Sequence, residues 1–267
     1  MKTIVYQSFQ ADETPRWIDR CLETVRDWAM FQGFDYQRED NFFDYVPDWY
    51  IEKVQGKINV IADLARLQLA KKFLTEGYDR AIWMDADIVV FDRDRLKVET
   101  AENYLVCREV WLDTADGIDL GTGEIFCTQK VTNSLVMFAK NNNFLDFYID
   151  ACQSIVKKNT GYLSKLCVST KFLTKLHELI ELPLFHQIGL FSPILMHGIV
   201  NNEPEILNLY ERSLESPVYA ANLCFSFRNK EYKGLSIPDS LFAETIARLI
   251  ATRGETINQN FVSNIAK

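Results

Sequence analysis

The stretch Arg80-Ala-Ile-Trp-Met-Asp-Ala-Asp-Ile-Val-Val-Phe91 sets two carboxylates, Asp85 and Asp87, among residues that otherwise favour burial. If the stretch is extended, side chains alternate, so both aspartates face one way and Ile82, Met84, Ala86 and Ile88 the other. Two like charges that close, beside apolar neighbours, repel and resist ionisation. Such a pair persists if it shares a proton, meets cationic side chains or binds a divalent metal. Oxygen-only ligands in a D-x-D spacing suit a hard ion, Mg²⁺ or Mn²⁺, with substrate phosphates completing its shell. In open α/β sheets ligands gather at the carboxyl ends of strands, where this pair falls. A bare D-x-D also begins turns and caps, so its neighbours must decide. A second one, Asp92 and Asp94 within Asp-Arg-Asp-Arg, reads as a solvated, salt-bridged loop.

The element before the pair is the first such neighbour. Lys57 to about Thr75 has the spacing of a helix, stopped by Gly77. Turning about 100° per residue from Val60 puts Leu64, Leu67, Lys71 and Leu74 in one stripe. Asp63 and Arg66 fall on its flank, at the edge of the buried face. An ordinary i,i+3 ion pair on an exposed helix contributes only about 0.2–0.5 kcal/mol. Here, however, one short turn joins the helix to the strand carrying both aspartates. An Asp and an Arg held beside a metal site suit a sugar or ribose hydroxyl and a phosphate.

The rest of the chain supplies a scaffold. Ile4-Val5-Tyr6 reads as a first strand; Thr14, as N-cap, and Pro15, as first helical residue, open a helix through Trp17, Cys21, Val25 and Trp28. Phe34–Tyr36 follows as a strand, then an aromatic loop from Phe42 to Tyr50. Further strands are expected at Tyr104–Val110, Glu124–Thr128, Ser134–Phe138 and Val218–Phe227. Further helices are expected at Phe144–Val156, Ser169–Leu182 and Asp239–Ala251. Strands alternating with helices predict an α/β fold whose mixed, mostly parallel sheet is flanked by helices. With no linker or repeat, residues 1–267 read as a single domain.

The two signatures together, INVIADLARLQLAKKFLTEGYDRAIWMDADIVVF, resemble the sugar-binding DXD region of glycosyltransferase family 32. The opening KTIVYQSF, with Pro15-Arg-Trp17 and Trp28, resembles that family's first strand, although Tyr6-Gln7-Ser8-Phe9 stands where a His-Gln-x-Trp signature is usual. The resemblance covers about residues 1–95 and implies a nucleotide-sugar part over 1–95, then an acceptor-side part and closing helix over 96–267. It implies a GT-A fold, Rossmann-like and built for nucleoside-diphosphate-sugar donors. It also implies a metal-dependent transfer, with retention, to a glycan, lipid-linked or small hydroxyl acceptor, as in polysaccharide biosynthesis. By the same resemblance Asp87 ligates the Mn²⁺ or Mg²⁺ and Asp85 contacts the donor ribose or sugar, sharing in the metal site. Asp63, Arg66 and Ala86 hold the donor sugar, and Tyr6 and Gln7 approach the base. The family's C-terminal metal-binding His has no counterpart; in Ala221–Arg228, Asn222 offers an amide oxygen instead. His186-Gln187 and Phe191-Ser-Pro193 are assigned to the acceptor side, with Gln187 a catalytic candidate.

Composition closes off other classes. A net charge of −8 with scattered basic residues leaves no basic stripe for nucleic acid. Six cysteines without a CxxC pair suit reduced thiols in a cytoplasmic protein, and no signal peptide or spanning segment is expected. Peripheral membrane contact stays open. Asp113–Glu124 has the length of a calcium loop, but Ala115, Gly117 and Ile118 occupy ligand and glycine positions. It reads as a flap over the donor or a surface turn. P-loop, GxGxxG and GxSxG motifs are absent, and three histidines are too scattered for zinc. Two alternatives remain: a nucleotidyltransferase acting on a sugar phosphate, opposed by the lack of glycine in Gln7–Thr14, and a non-catalytic sugar-nucleotide or glycan-binding module.

Overall fold

The computed structural model describes residues 1–10, 13–115 and 118–261. In chain order it runs β1 (Thr3–Gln7), α1 (Arg16–Phe31), β2 (Asp35–Arg38), α2 (Asp48–Val54), α3 (Ile58–Thr75), β3 (Arg80–Met84) and β4 (Ile88–Val90). Then come β5 (Tyr104–Asp113), β6 (Phe126–Ala139), α4 (Phe144–Lys158), α5 (Thr170–Leu179), β7 (Leu184–Phe185) and β8 (Ile188–Leu190). The chain continues with α6 (Pro193–Asn201), α7 (Pro204–Arg212), β9 (Ala220–Asn222) and α8 (Asp239–Thr252).

Six strands form the main sheet in the order β2-β1-β3-β6-β5-β7. β1 is parallel to both β2 and β3, and β7 is parallel to β5, whereas β6 runs antiparallel between β3 and β5. The expected mixed α/β sheet is therefore present, parallel in three of its five neighbouring pairs. A second sheet, β4-β9-β8, pairs Ile88 with Asn222 and Leu190 with Asn222, so it joins β4 to two strands from the last third of the sequence.

That second sheet corrects the sequence reading of 80–91. The stretch is not one strand: β3 ends at Met84, and the Asp85 carbonyl accepts the Ile88 amide at 3.1 Å across a turn. Beyond the turn, β4 belongs to the other sheet. Conversely, the strands read at Glu124–Thr128 and Ser134–Phe138 are one long β6, irregular where its register with β5 shifts after Val106. The expected strand Val218–Phe227 shrinks to β9, because Cys224 turns left-handed at φ 56°. Pro15, not Thr14, stands at the N-cap of α1. The aromatic loop holds a 3-10 turn, Phe42–Tyr45, and α2, which is too short to show a period.

Burial explains the placement of α3. The helix lies between Tyr6 and Trp83 of the sheet and Tyr148 of α4. Eleven of its residues are buried, Asp63 and Arg66 among them, so these two charges are inside rather than at the edge of the apolar face. On the other side of the sheet, α1 packs Val25 and Trp28 against Val5, Ile82, Ile88 and Val90. A third cluster gathers α6, α7 and α8, with Trp17 stacked on Phe242 at 4.2 Å between centroids. Asp92 departs from expectation in another way. It is 1% exposed, paired with Arg95 and with Arg253 at 2.7 Å, and so clamps the end of α8 instead of standing in water.

Gly254 follows that helix at φ +75°, against the Phe91 ring. A side chain there meets both left-handed strain and the ring. Gly254→Ala should therefore cost about 1–3 kcal/mol of stability. A lower urea midpoint at unchanged slope is the expected reading.

Candidate active site

The Asp85-Ala86-Asp87 turn sits where the two sheets part, and α3 supplies its counter-charge. Arg66 Nη1 lies 3.0 Å from Asp85 Oδ1 and donates to the Asn133 carbonyl at 2.7 Å. Nη2 is 3.3 Å from Asp63 Oδ1, and Nε donates to the Ala62 carbonyl. The guanidinium lies 4.9 Å from the Trp83 ring centre. A single cation thus bridges two carboxylates inside the fold. Burial works against the Arg66 charge, but Asp85 and Asp63 outweigh it and hold its pKa above the ordinary value.

Asp85 is saturated by protein donors. Trp83 Nε1 donates to Oδ1 at 2.7 Å and Asn222 Nδ2 to Oδ2 at 3.1 Å. Its amide donates to the Ser134 carbonyl at 2.9 Å, and Gln7 Nε2 donates to its carbonyl at 3.1 Å. Burial raises the Asp85 carboxyl above its usual range, with Arg66, Trp83 and Asn222 pulling the other way. Asp63, 3% exposed, accepts from Asn133 Nδ2 at 2.8 Å, while its buried Oδ2 has no hydrogen bond. Burial raises its pKa as well.

Asp87 is different. It is half-buried, and its Oδ2 accepts the Phe225 amide at 2.7 Å. Burial, and then the Asp85 charge, push its carboxyl up to about 7. Near neutral pH it is balanced between its two protonation states. Glu109, buried on β5 with Lys130 at 4.0 Å, is also pushed up to about 7 by burial. The Cys224 thiol lies within the fields of Asp87, Glu109 and Asp85; burial and those charges hold its pKa well above the thiol range.

Not every expected site residue takes a direct role. Tyr6 is fully buried, donating to the Arg66 carbonyl at 2.7 Å, so it supports the helix and does not reach a base. Gln7 is sealed likewise, accepting from Tyr36 Oη at 3.0 Å while it holds the turn. Ala86 points into the apolar cluster with Val89, Ala221 and Leu223. Asn222 turns its NH₂ to Asp85 and its oxygen to the Cys224 amide at 2.8 Å, so it positions the carboxylate rather than offering a ligand oxygen.

Gln187 stands apart. Its Oε1 accepts the Lys97 amide at 3.0 Å, and it precedes β8 at the end away from Asn222, about 10 Å for three residues at ~3.3 Å rise. Ser192 is buried as the N-cap of α6, and His186 faces Glu215 at 3.7 Å. His186 belongs to a groove of about 450 Å³ with Arg108, His177 and Glu215; the groove shares no lining residue with the aspartate turn.

The described part of the Asp113–Glu124 loop is tied down. Tyr232 Oη donates to Asp113 at 2.8 Å, and Lys233 Nζ donates to the carbonyls of Thr114 and Ala115. Gly117 of the expected flap lies outside the described residues. Among the described residues, no three His, Cys, Asp or Glu side chains group as a metal site.

Two partners escaped the sequence reading. Trp83 had a usable signal, since alternation sets it on the face of Asp85. Asn133 had none but its polarity inside an apolar strand, which reads as a break between strands.

No family model matches the chain, and no curated protein matches it. Solved structures with a similar chain path include a glycosyltransferase involved in glycosylation of the major capsid of PBCV-1 (TM-score 0.46, 10% identity, 92% of this chain and 98% of that one). Another is the galactosyltransferase LgtC in complex with donor and acceptor sugar analogues (0.43, 12%, 92% and 95%). A third is the glycosyltransferase GlyE of Streptococcus pneumoniae TIGR4 (0.40, 10%), which covers 99% of this chain but 64% of its own. At these identities no residue's role is transferred from them.

Two outcomes follow from the charge arrangement. Arg66→Met strands Asp63 and Asp85 without a cation and should cost about 3–5 kcal/mol at neutral pH, measured by urea unfolding. Asp87, with its folded pKa raised to about 7, holds its proton more tightly folded than unfolded. Its ionisation therefore erodes stability as pH rises from about 4 towards and past 7. In chelator-treated buffer Asp87→Asn should melt higher than the parent at pH 8, the gap closing towards pH 4.

Proposed function

We propose that this chain is a GT-A-type glycosyltransferase, moving a sugar from a nucleoside diphosphate donor to a hydroxyl of a glycan, lipid-linked or small acceptor. The observation that carries this reading is the unequal aspartate pair at the junction of two sheets. Both are half-buried, but Asp85 is held by Arg66, Trp83 and Asn222, while Asp87 accepts the Phe225 amide and has its carboxyl pushed up to about 7. Asp87, held beside Asp85, would be the group to ionise if a dication arrived with a diphosphate, since the ion's charge would offset the repulsion between them. Asp87 would hold Mg²⁺ or Mn²⁺, with water and donor phosphate oxygens for the remainder, while Asp85, whose oxygens accept from Arg66, Trp83 and Asn222, would supply charge beside it. Bound there, the ion supplies Lewis-acid stabilisation of the departing diphosphate.

The chain's own residues divide the remaining work. Arg66 orients Asp85 and neutralises half of the buried charge. The Phe225 amide fixes Asp87 from the opposite strand end. Gln7 and Asn222 hold the turn from either side, so it need not reorganise when a donor arrives. The donor meets Asp87 and the surface about it, with Asp63, Tyr6 and Arg66 forming the wall behind. In this reading the anomeric configuration is retained, and a donor phosphate oxygen accepts the acceptor's proton on the same face.

Thermal melts with a panel of nucleoside diphosphates and their sugars, with and without Mn²⁺, should reveal a metal-dependent stabilisation by one base. Asp87→Ala should lose several kcal/mol of transition-state stabilisation in transfer or donor hydrolysis while keeping its fold. Full turnover in that variant refutes the assignment. A donor that binds with Mn²⁺ yet stays intact beside every acceptor identifies a binding module instead.

A further inference from the structure

In a chain of net charge −8, residues 151–177 carry five lysines, 157, 158, 165, 171 and 175, and no acidic residue. Lys175 pairs with Glu178; among the described residues the other four have no ion pair. Lys157 and Lys158 close α4, and the loop after them exposes Tyr162 (84%), Lys165 and Leu166 (42%). Lys57, at the head of α3, sets its ammonium 6.0 Å from the Tyr162 ring centre. Basic and apolar side chains therefore share one rim.

Topology puts this rim at the aspartate end of the sheet. α3 leads into β3, so its first turn lies beside the end of β3. β6 finishes with Ala139 opposite Arg80 at the start of β3, so α4 sets out from the far end and terminates near the aspartates. The loop is anchored beneath: Leu163 is buried, and the Val168 carbonyl accepts Tyr148 Oη at 2.8 Å. Tyr148 in turn touches Asn133, which holds Asp63.

We infer that this rim docks the protein on an anionic phospholipid bilayer. Lysines are drawn to the negative leaflet, and an exposed tyrosine and leucine enter the headgroup boundary. A dissolved polyanion uses only the charge; the apolar pair among the lysines matches a bilayer. Docking needs no catalysis, but its consequence, that acceptors are presented from the membrane, rests on the transferase reading.

Vesicle flotation of the full chain provides the test, comparing phosphatidylcholine alone with equimolar phosphatidylcholine and phosphatidylglycerol. Binding to the anionic vesicles, suppressed by salt, is expected. Combined Lys157→Glu, Lys158→Glu and Lys165→Glu should cut partitioning at least about a hundredfold, at roughly fivefold per lysine. Tyr162→Ser with Leu166→Ser should cut it about tenfold and leave the salt dependence in place. These side chains are exposed, so melting temperatures should stay at the parent value. Equal binding to neutral vesicles, or an undiminished charge-reversed variant, overturns the inference. So does strong retention on dextran sulfate with no flotation, which assigns the rim to a dissolved polyanion. Flotation without donor binding leaves docking intact and removes the transferase; donor binding without flotation does the reverse.

Discussion

Everything near the aspartate turn is arranged around one buried cation between a buried carboxylate, Asp63, and a half-buried one, Asp85. Three charges taken out of water cost several kcal/mol each unless they are paired and hydrogen-bonded. Arg66 meets that requirement with contacts to Asp63, Asp85, Asn133 and Ala62, and so cannot move without stranding a neighbour. The price is rigidity. The helix α3, the strands β3 and β6 and the second sheet are tied through this one network to the position of Asp85.

That constraint explains the inequality of the two aspartates. Asp85 accepts from Arg66, Trp83 and Asn222, whereas Asp87 accepts the Phe225 amide. A fixed carboxylate next to a responsive one is a sensible design for capturing a charged ligand. On the proposed function the fixed member would define geometry, and the responsive member would change state when the ligand's own charge arrived. Glu109, buried close enough for Cys224 to feel its field, adds to the acidity of the same region.

The periodicity of 57–75 and the apolar strand 80–84 were legible, and so was the nearness of Asp63 and Arg66 to the Asp85–Asp87 turn. Their roles were not. Angular position on a helix says which way Arg66 points, but not that α4 covers the opposite side and seals it. Alternation assumed a continuous strand through 85–87, and no local property announced that Ile88 would join a sheet with residues 220–222. Tyr6 and Gln7 were placed at a ligand because they end a strand; the sheet instead buried both. Helices α2, α6 and α7, seven to nine residues each, were too short for a period to emerge.

The pairing of β4 with β9 sets a schedule for biosynthesis. When β4 leaves the ribosome, the strand that will flank it has yet to be translated. At ~5–20 residues per second the interval is roughly 7–26 s. During that time the aspartate hinge has its helix α3 but lacks Asn222 and the Phe225 amide, and β4 presents a bare edge. Nascent chains should accordingly rely on chaperone shielding until the last third is made, and the completed aspartate turn is among the final features the molecule acquires.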